Sequence, residues 1–251
     1  MRICSLAVLL ILSLLPPASG LKVENVDPYI LDKGASIGEE TWIFSNKVSF
    51  EGETKEDLFI AGNAVLLDGT MRNDVWVAAN SIYCSGKILD HARFMASRTL
   101  SFEGHVGSSL TAFADTISIG KNAIVQGGVA LAGQNVIVEG QVKDKLYIMA
   151  YHATLSGKFM GDVRIIAEDI IVMPGTEIKG NLTYTSSKDL FLDEKVLLTG
   201  QLVKKNIQTT SLASTKPSLN KAFALQSFLF LSALVVGLPF AGLFPQYTGR
   251  T

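Results

Sequence analysis

VALAGQNVIVEGQVKDK, residues 129–145, is followed without a break by LYIMAYHATLSGKFMGD, residues 146–162, and the two segments carry one pattern in one register. LFIAGNAVLLDGTMRND from Leu58 and VWVAANSIYCSGKILDH from Val75 repeat it. Aligned on these copies, a column of small residues runs through Ser45, Gly62, Ala79, Ala96, Ala114, Gly133, Ala150, Ala167 and Ser186, at steps of 17, 17, 17, 18, 19, 17, 17 and 19. Nothing larger than Ala enters it. Six to eight residues further on, seven of the nine copies place glycine: Gly52, Gly69, Gly86, Gly104, Gly140, Gly157 and Gly175. Self-similarity at a fixed short period is the signature of a stacked repeat, so residues 41–202 predict a solenoid of about nine coils.

Inside each coil the apolar residues alternate, which is the period of a strand. Leu58 with Ile60, Val75 with Val77 and Leu146 with Ile148 form a first inward pair, and Val65 with Leu67 and Val136 with Val138 a second. A third inward position follows the glycine, as at Met71, Ile88, Val142 and Phe159. Three short faces with bends between them make a triangular coil. The small residue is expected to fill one tight corner, and the glycine to supply unusual backbone angles at another. Coils stacked at about 4.8 Å share one aliphatic core. Their irregular length favours a right-handed parallel β-helix over the left-handed kind, which keeps a strict period.

The run of apolar, apolar, Ala, Gly or Ala, then V-x-V-x-G resembles the bactofilin, or polymer-forming cytoskeletal, family over nearly all of residues 41–202. That resemblance implies a non-enzymatic right-handed β-helix that polymerises end to end. The chain departs from the cytosolic members of that family at both ends.

At the N-terminus Arg2 precedes the apolar run Ile3 to Leu15, which Pro16 and Pro17 end, and Ala18 and Gly20 occupy the positions of a signal-peptidase site. Residues 1–20 are thus expected to be a cleaved signal peptide. Residues 21–40 show no coil and are expected to cap the first one or to form a leader. Beyond Leu202, residues 203–221 are polar and rich in Ser and Thr, as a linker would be. Ala222 to Phe244 then gives 23 residues without a charge, enough at about 1.5 Å per residue to span a bilayer core as a transmembrane helix. Residues 245–251 form a short tail. The expected location is therefore outside the cytoplasmic membrane, anchored in it, with the β-helix on the outer side.

Composition and motifs limit the chemistry. Lys and Arg number 22 against 23 Asp and Glu, a net charge of -1, so the electrostatic footprint of a nucleic-acid binder is missing. Of two cysteines, Cys4 lies in the expected signal peptide and Cys84 at an inward position, so no internal disulfide is expected. His91, His105 and His152 fall in different columns and are not expected to meet. Asp57, Asp74 and His91 occupy successive copies of one turn, where Asp is favoured for backbone reasons. No nucleophile elbow, phosphate loop or paired-cysteine metal site is present, and no cofactor or metal is expected. Asn181-Leu182-Thr183 matches a glycosylation sequon.

Two surfaces remain as candidates. Trp42, Phe59 and Trp76, followed by Arg93, occupy the outward position of the first face and should stack along the outer wall. The ladder would stabilise successive coils, or offer a platform to the sugar rings of a cell-wall polysaccharide or to an envelope protein. Leu182, Tyr184, Leu190 and Leu192 belong to the last coil and are expected to be partly bare, giving self-association an apolar end face. The sequence thus predicts a membrane-anchored scaffold, with a polysaccharide-binding or polysaccharide-cleaving β-helix as the alternative.

Overall fold

The computed structural model describes residues 20–205, all of whose regular structure is β. The chain winds into a parallel β-solenoid whose strands lie in one 13-stranded and one 10-stranded sheet. Eleven layers follow one another along the larger sheet, beginning at Leu21, Glu40, Leu58, Val75, Ala92, Leu110, Val129, Leu146, Val163, Leu182 and Leu202. That is two more than the nine expected, one at each end.

The first extra turn comes from residues 21–40, read above as a cap without a coil. Leu21–Glu24 pairs in parallel with residues 40–43 and Tyr29–Leu31 with residues 48–50, so the layer beginning at Glu40 is covered by a turn of the same kind. Its sequence hides this because it is polar, with Val23 and Ile30 facing out and Tyr29 facing in. Ser45, of the small column, fixes the junction: its hydroxyl accepts the Tyr29 N–H at 3.2 Å and donates to the Lys47 carbonyl at 2.9 Å. At the other end Leu202–Lys204 pairs with residues 182–184, so the strand pattern runs past the boundary expected at Leu202. Residues 1–19 and 206–251 lie outside the described residues, and with them the expected signal peptide, nearly all of the linker, the transmembrane segment and the tail. Among the described residues no helix is long and apolar enough to cross a membrane.

Most turns contain three strand segments, shown separately by Leu110–Phe113, Thr116–Ile119 and Ile124–Val125. Elsewhere the first two run on through the small residue as one bent strand, as in Leu58–Leu67 and Leu146–Leu155. The burial pattern of Val75–Cys84 alternates on both sides of Ala79, so each segment turns alternate residues inward. Where a coil has 18 residues, the extra one is absorbed at Ser97 and Arg98, beside the corner. The core behind it is continuous and aliphatic, with Phe50, Phe94, Phe102 and Phe159 its largest members.

The glycine column has a different cause from the one expected. Positive φ occurs only at Gly20, Gly34 and Gly175 among the described residues, so the other column members need no special backbone angle. They need room. A Cβ at Gly69 would sit 2.0 Å from the Gly52 carbonyl oxygen, and one at Gly157 2.1 Å from that of Gly140. At the column successive coils approach closely, backbone against backbone.

Cys84 is fully buried, and burial pushes its thiol up to about 12. Unfolded, it ionises near its ordinary value of 9.0. A folded-state value above the unfolded one means that Cys84 contributes full stability below pH 9.0 and loses that contribution progressively as the pH rises toward 12. The slope is at most about 1.4 kcal/mol per pH unit. Subtracting the urea stability of Cys84→Ala from that of the parent at each pH isolates it from lysine and tyrosine titration. A flat difference between pH 8 and pH 11 would show that the thiol is not excluded from water.

Candidate functional site

The outward residues of the first strand segment form two columns on one wall. In strand register the first reads Trp42, Phe59, Trp76, Arg93, Thr111, Ala130, Tyr147 and Arg164. The second, two residues further along each strand, reads Phe44, Ala61, Ala78, Met95, Phe113, Ala132, Met149 and Ile166. Fourteen of these sixteen side chains carry no charge, and large ones stand well out: Met95 and Met149 are each 60% exposed and Phe113 50%.

The predicted ladder forms. Trp42 stacks on Phe59 with centroids 4.6 Å apart at 23°, and Phe59 on Trp76 at 6.2 Å and 14°. The Arg93 guanidinium lies 4.5 Å over the Trp76 ring and holds Asp74 at 2.7 Å with its other edge. Such contacts add roughly 0.5 to 1.5 kcal/mol per aromatic pair. They also consume the ring faces: Phe59 is sandwiched, and Trp76 is covered by Phe59 on one side and Arg93 on the other. A sugar platform needs a free face, and this ladder presents mainly edges.

Beside the ladder Ala61 and Ala78 leave a trough, closed by Phe44 at one end and by Met95 and Phe113 at the other, with a volume of about 310 Å³. A second hollow, about 380 Å³, lies over Ala130 and Ala132 between Phe113 and the Tyr147–Met149 layer. The wall is therefore corrugated.

The Asp57, Asp74 and His91 turn column is a backbone ladder. Asp57 Oδ1 accepts the Asp74 N–H at 3.2 Å, Asp74 Oδ1 accepts the His91 N–H at 3.1 Å, and His91 Nδ1 lies 2.6 Å from the Ser109 hydroxyl. Further along, Asp162 Oδ1 accepts the Asn181 N–H at 2.8 Å and Asn181 Oδ1 accepts that of Gln201 at 3.0 Å, so the sequon asparagine serves the same purpose. Asp74, Asp90 and His91 come close enough together to hold a metal ion. Both Asp74 oxygens are already engaged, one by the His91 amide and one by Arg93, so this donor set does not fit a resident cation. His105 and His152 lie on other faces, as their columns predict. His152 meets Asp169 at 3.0 Å, and the Asp169 carboxyl is held below its ordinary value first by the Lys188 ammonium and then by His152.

Of the four residues expected to be partly bare at the C-terminal end, two are covered. Leu182 and Tyr184 are buried beneath the strand Leu202–Lys204, and the Tyr184 hydroxyl accepts the Leu190 N–H at 3.3 Å. Leu190 and Leu192 are half-buried against the core. Apolar residues at this end are also bare at Phe191 and Leu197 of the same turn, and at Leu202 and Val203 one layer further on.

Comparison with family models, with curated proteins and with solved structures finds no match.

Proposed function

We propose that this chain is a non-enzymatic scaffold of the bactofilin kind, exported, held at the cytoplasmic membrane by residues 222–244, and able to add copies at its ends. The coil is taken as right-handed, the hand of nearly all parallel strand-to-strand crossovers, and as triangular because its fullest turns have three segments. The observation that carries the reading is the state of the two ends. Among the described residues the strands Leu21–Glu24 and Leu202–Lys204 each have one neighbour in the larger sheet, as do Ser36–Ile37 and Leu197–Leu198 in the smaller. Strand edges that no described residue pairs, flanked by bare Leu21, Val23, Leu197 and Leu202, are templates for another copy's end. The turn side chains Asp57, Asp74, Asp162 and Asn181 are meanwhile committed to neighbouring backbone.

Deleting residues 222–244 is expected to move the protein from the membrane to the exported soluble fraction, where electron microscopy and sedimentation should show filaments extended along the stacking axis. Leu197→Lys with Leu202→Lys, both at exposed positions, should preserve the β circular dichroism and remove the high-mass species. A parent protein that stays monomeric at high concentration overturns the end-to-end reading.

A further inference from the structure

We propose that the corrugated wall is a two-fold pairing surface, on which a second copy packs face to face with its stacking direction reversed. Wall pairing does not depend on contact between ends and goes beyond the scaffold reading. A two-fold axis lying along the strand direction sets each outward column against itself and reverses the order of layers. With that axis midway between the Val75 and Ala92 layers, Met95 enters the hollow at the partner's Ala78 and Phe113 that at the partner's Ala61. The first column agrees independently: Trp42 falls opposite the partner's Ala130 and Phe59 opposite the partner's Thr111. Trp76 meets the partner's Arg93, whose charge Asp74 already neutralises. Over these six layers Met95, Phe113, Trp42 and Phe59 are each met by a smaller side chain.

Neighbouring registers fail. Placing the axis on the Val75 layer sets Trp76 against itself and Phe44 against Phe113. Placing it on the Ala92 layer opposes two arginines and leaves Ala61 facing Ala132 across a void. Turning the axis along the stack instead sets Trp42 against Phe44 and Tyr147 against Met149. Close packing across an interface needs this interdigitation, and one register supplies it. A bilayer would demand apolarity without alternating knobs and hollows, and the ladder offers sugars few free ring faces.

The contact covers those six layers at roughly 4.8 Å by four residues at roughly 3.3 Å, near 380 Å² per copy. The total, about 760 Å², is that of a weak, transient contact and not of a permanent interface. The pair should therefore form at high local concentration, as among chains crowded on one membrane.

The test uses the full chain in its membrane fraction, with Cys4→Ser so that buried Cys84 is the sole native thiol. Differently tagged Ala78→Cys and Met95→Cys chains are mixed and treated with a short bifunctional maleimide. Cross-linked heterodimer is expected at roughly tenfold the yield of Ala61→Cys mixed with Met149→Cys, a combination two layers out of step. Equal yields would overturn the register and indicate mere adhesion. No cross-link while each cysteine reacts with a monofunctional maleimide would show a bare wall, and no cross-link with protected cysteines would show a different occupant. Either result overturns the proposal.

Discussion

Gly69→Val is expected to abolish the cooperative folding of the solenoid. A Cβ at Gly69 would lie 2.0 Å from the Gly52 carbonyl oxygen and 3.0 Å from the Glu51 carbonyl carbon, both backbone atoms. Neither can step aside cheaply, because Gly69 N–H donates to the Phe50 carbonyl at 3.0 Å and Thr70 N–H to that same Gly52 oxygen at 2.9 Å. Relief would require the two coils to separate, and the coils above approach as closely, with a Cβ at Gly86 only 2.4 Å from the Gly69 oxygen. Overpacking that side chains can absorb costs about 1 to 3 kcal/mol; an overlap with fixed backbone belongs in the exceptional range above about 4 kcal/mol. Gly128→Ala is the control. Its Cβ would meet nothing nearer than the Lys145 oxygen at 3.7 Å, and its φ is not positive, so a loss below about 1 kcal/mol is expected. Urea midpoints followed by circular dichroism decide the matter: a Gly69→Val protein unfolding near the parent's midpoint would mean that the coils are not in close backbone contact there.

This column shows how far the sequence can be read. Its regularity located the coils and their register, because periodic residues that touch the same residue one turn away must recur at the turn length. Its cause was not legible. A recurring glycine announces either a positive φ or a close approach, and only coordinates separate the two; here Gly175 has the first and Gly69 the second. The turn at residues 21–37 escaped for a related reason. An end coil has a neighbour on one side only, so alternation there is under weaker pressure, and Leu21, Val23 and Ile30 all face outward. The turn at Leu182 was located, but not the strand Leu202–Lys204 that covers it, and Leu190 and Leu192 sit in a stretch without regular strands, between Leu182–Thr185 and Leu197–Leu198.

The ladder Trp42, Phe59 and Trp76 was legible because outward aromatics are conspicuous between inward aliphatics. The second outward column was not, although Phe44, Met95, Phe113, Met149 and Ile166 stand one residue ahead of the small column in every case. Two alanines and a third at Ala132 interrupt it, and residues adjoining a bend are easily read as part of the corner. Stacking in register turns those interruptions into hollows. Corrugation is a property of neighbouring coils, which no single coil displays.

The same coupling between layers governs the core and yields the second large expected effect. Phe94 projects inward at a position where Ile43, Ile60 and Val77 precede it, and the next layer answers with Ala112. Both are buried, and Phe94 packs against Phe102 of its own layer at 6.3 Å and 45°. Ala92, also buried, makes room within that layer. Phe94→Ala should therefore cost about 3 to 5 kcal/mol, toward the upper end because the neighbouring Ala112 is too small to collapse into the space. Ala112→Phe alone adds a ring to a filled layer and should cost about 1 to 3 kcal/mol or more. Carried together, the two changes move the ring by one layer and leave the total volume unchanged. The double variant should then be more stable than the sum of the single losses predicts, by a coupling of about 1 to 3 kcal/mol. Urea denaturation of the four proteins measures that coupling directly. Strict additivity would mean that Phe94 and Ala112 do not share one space, and that each layer of this solenoid packs on its own.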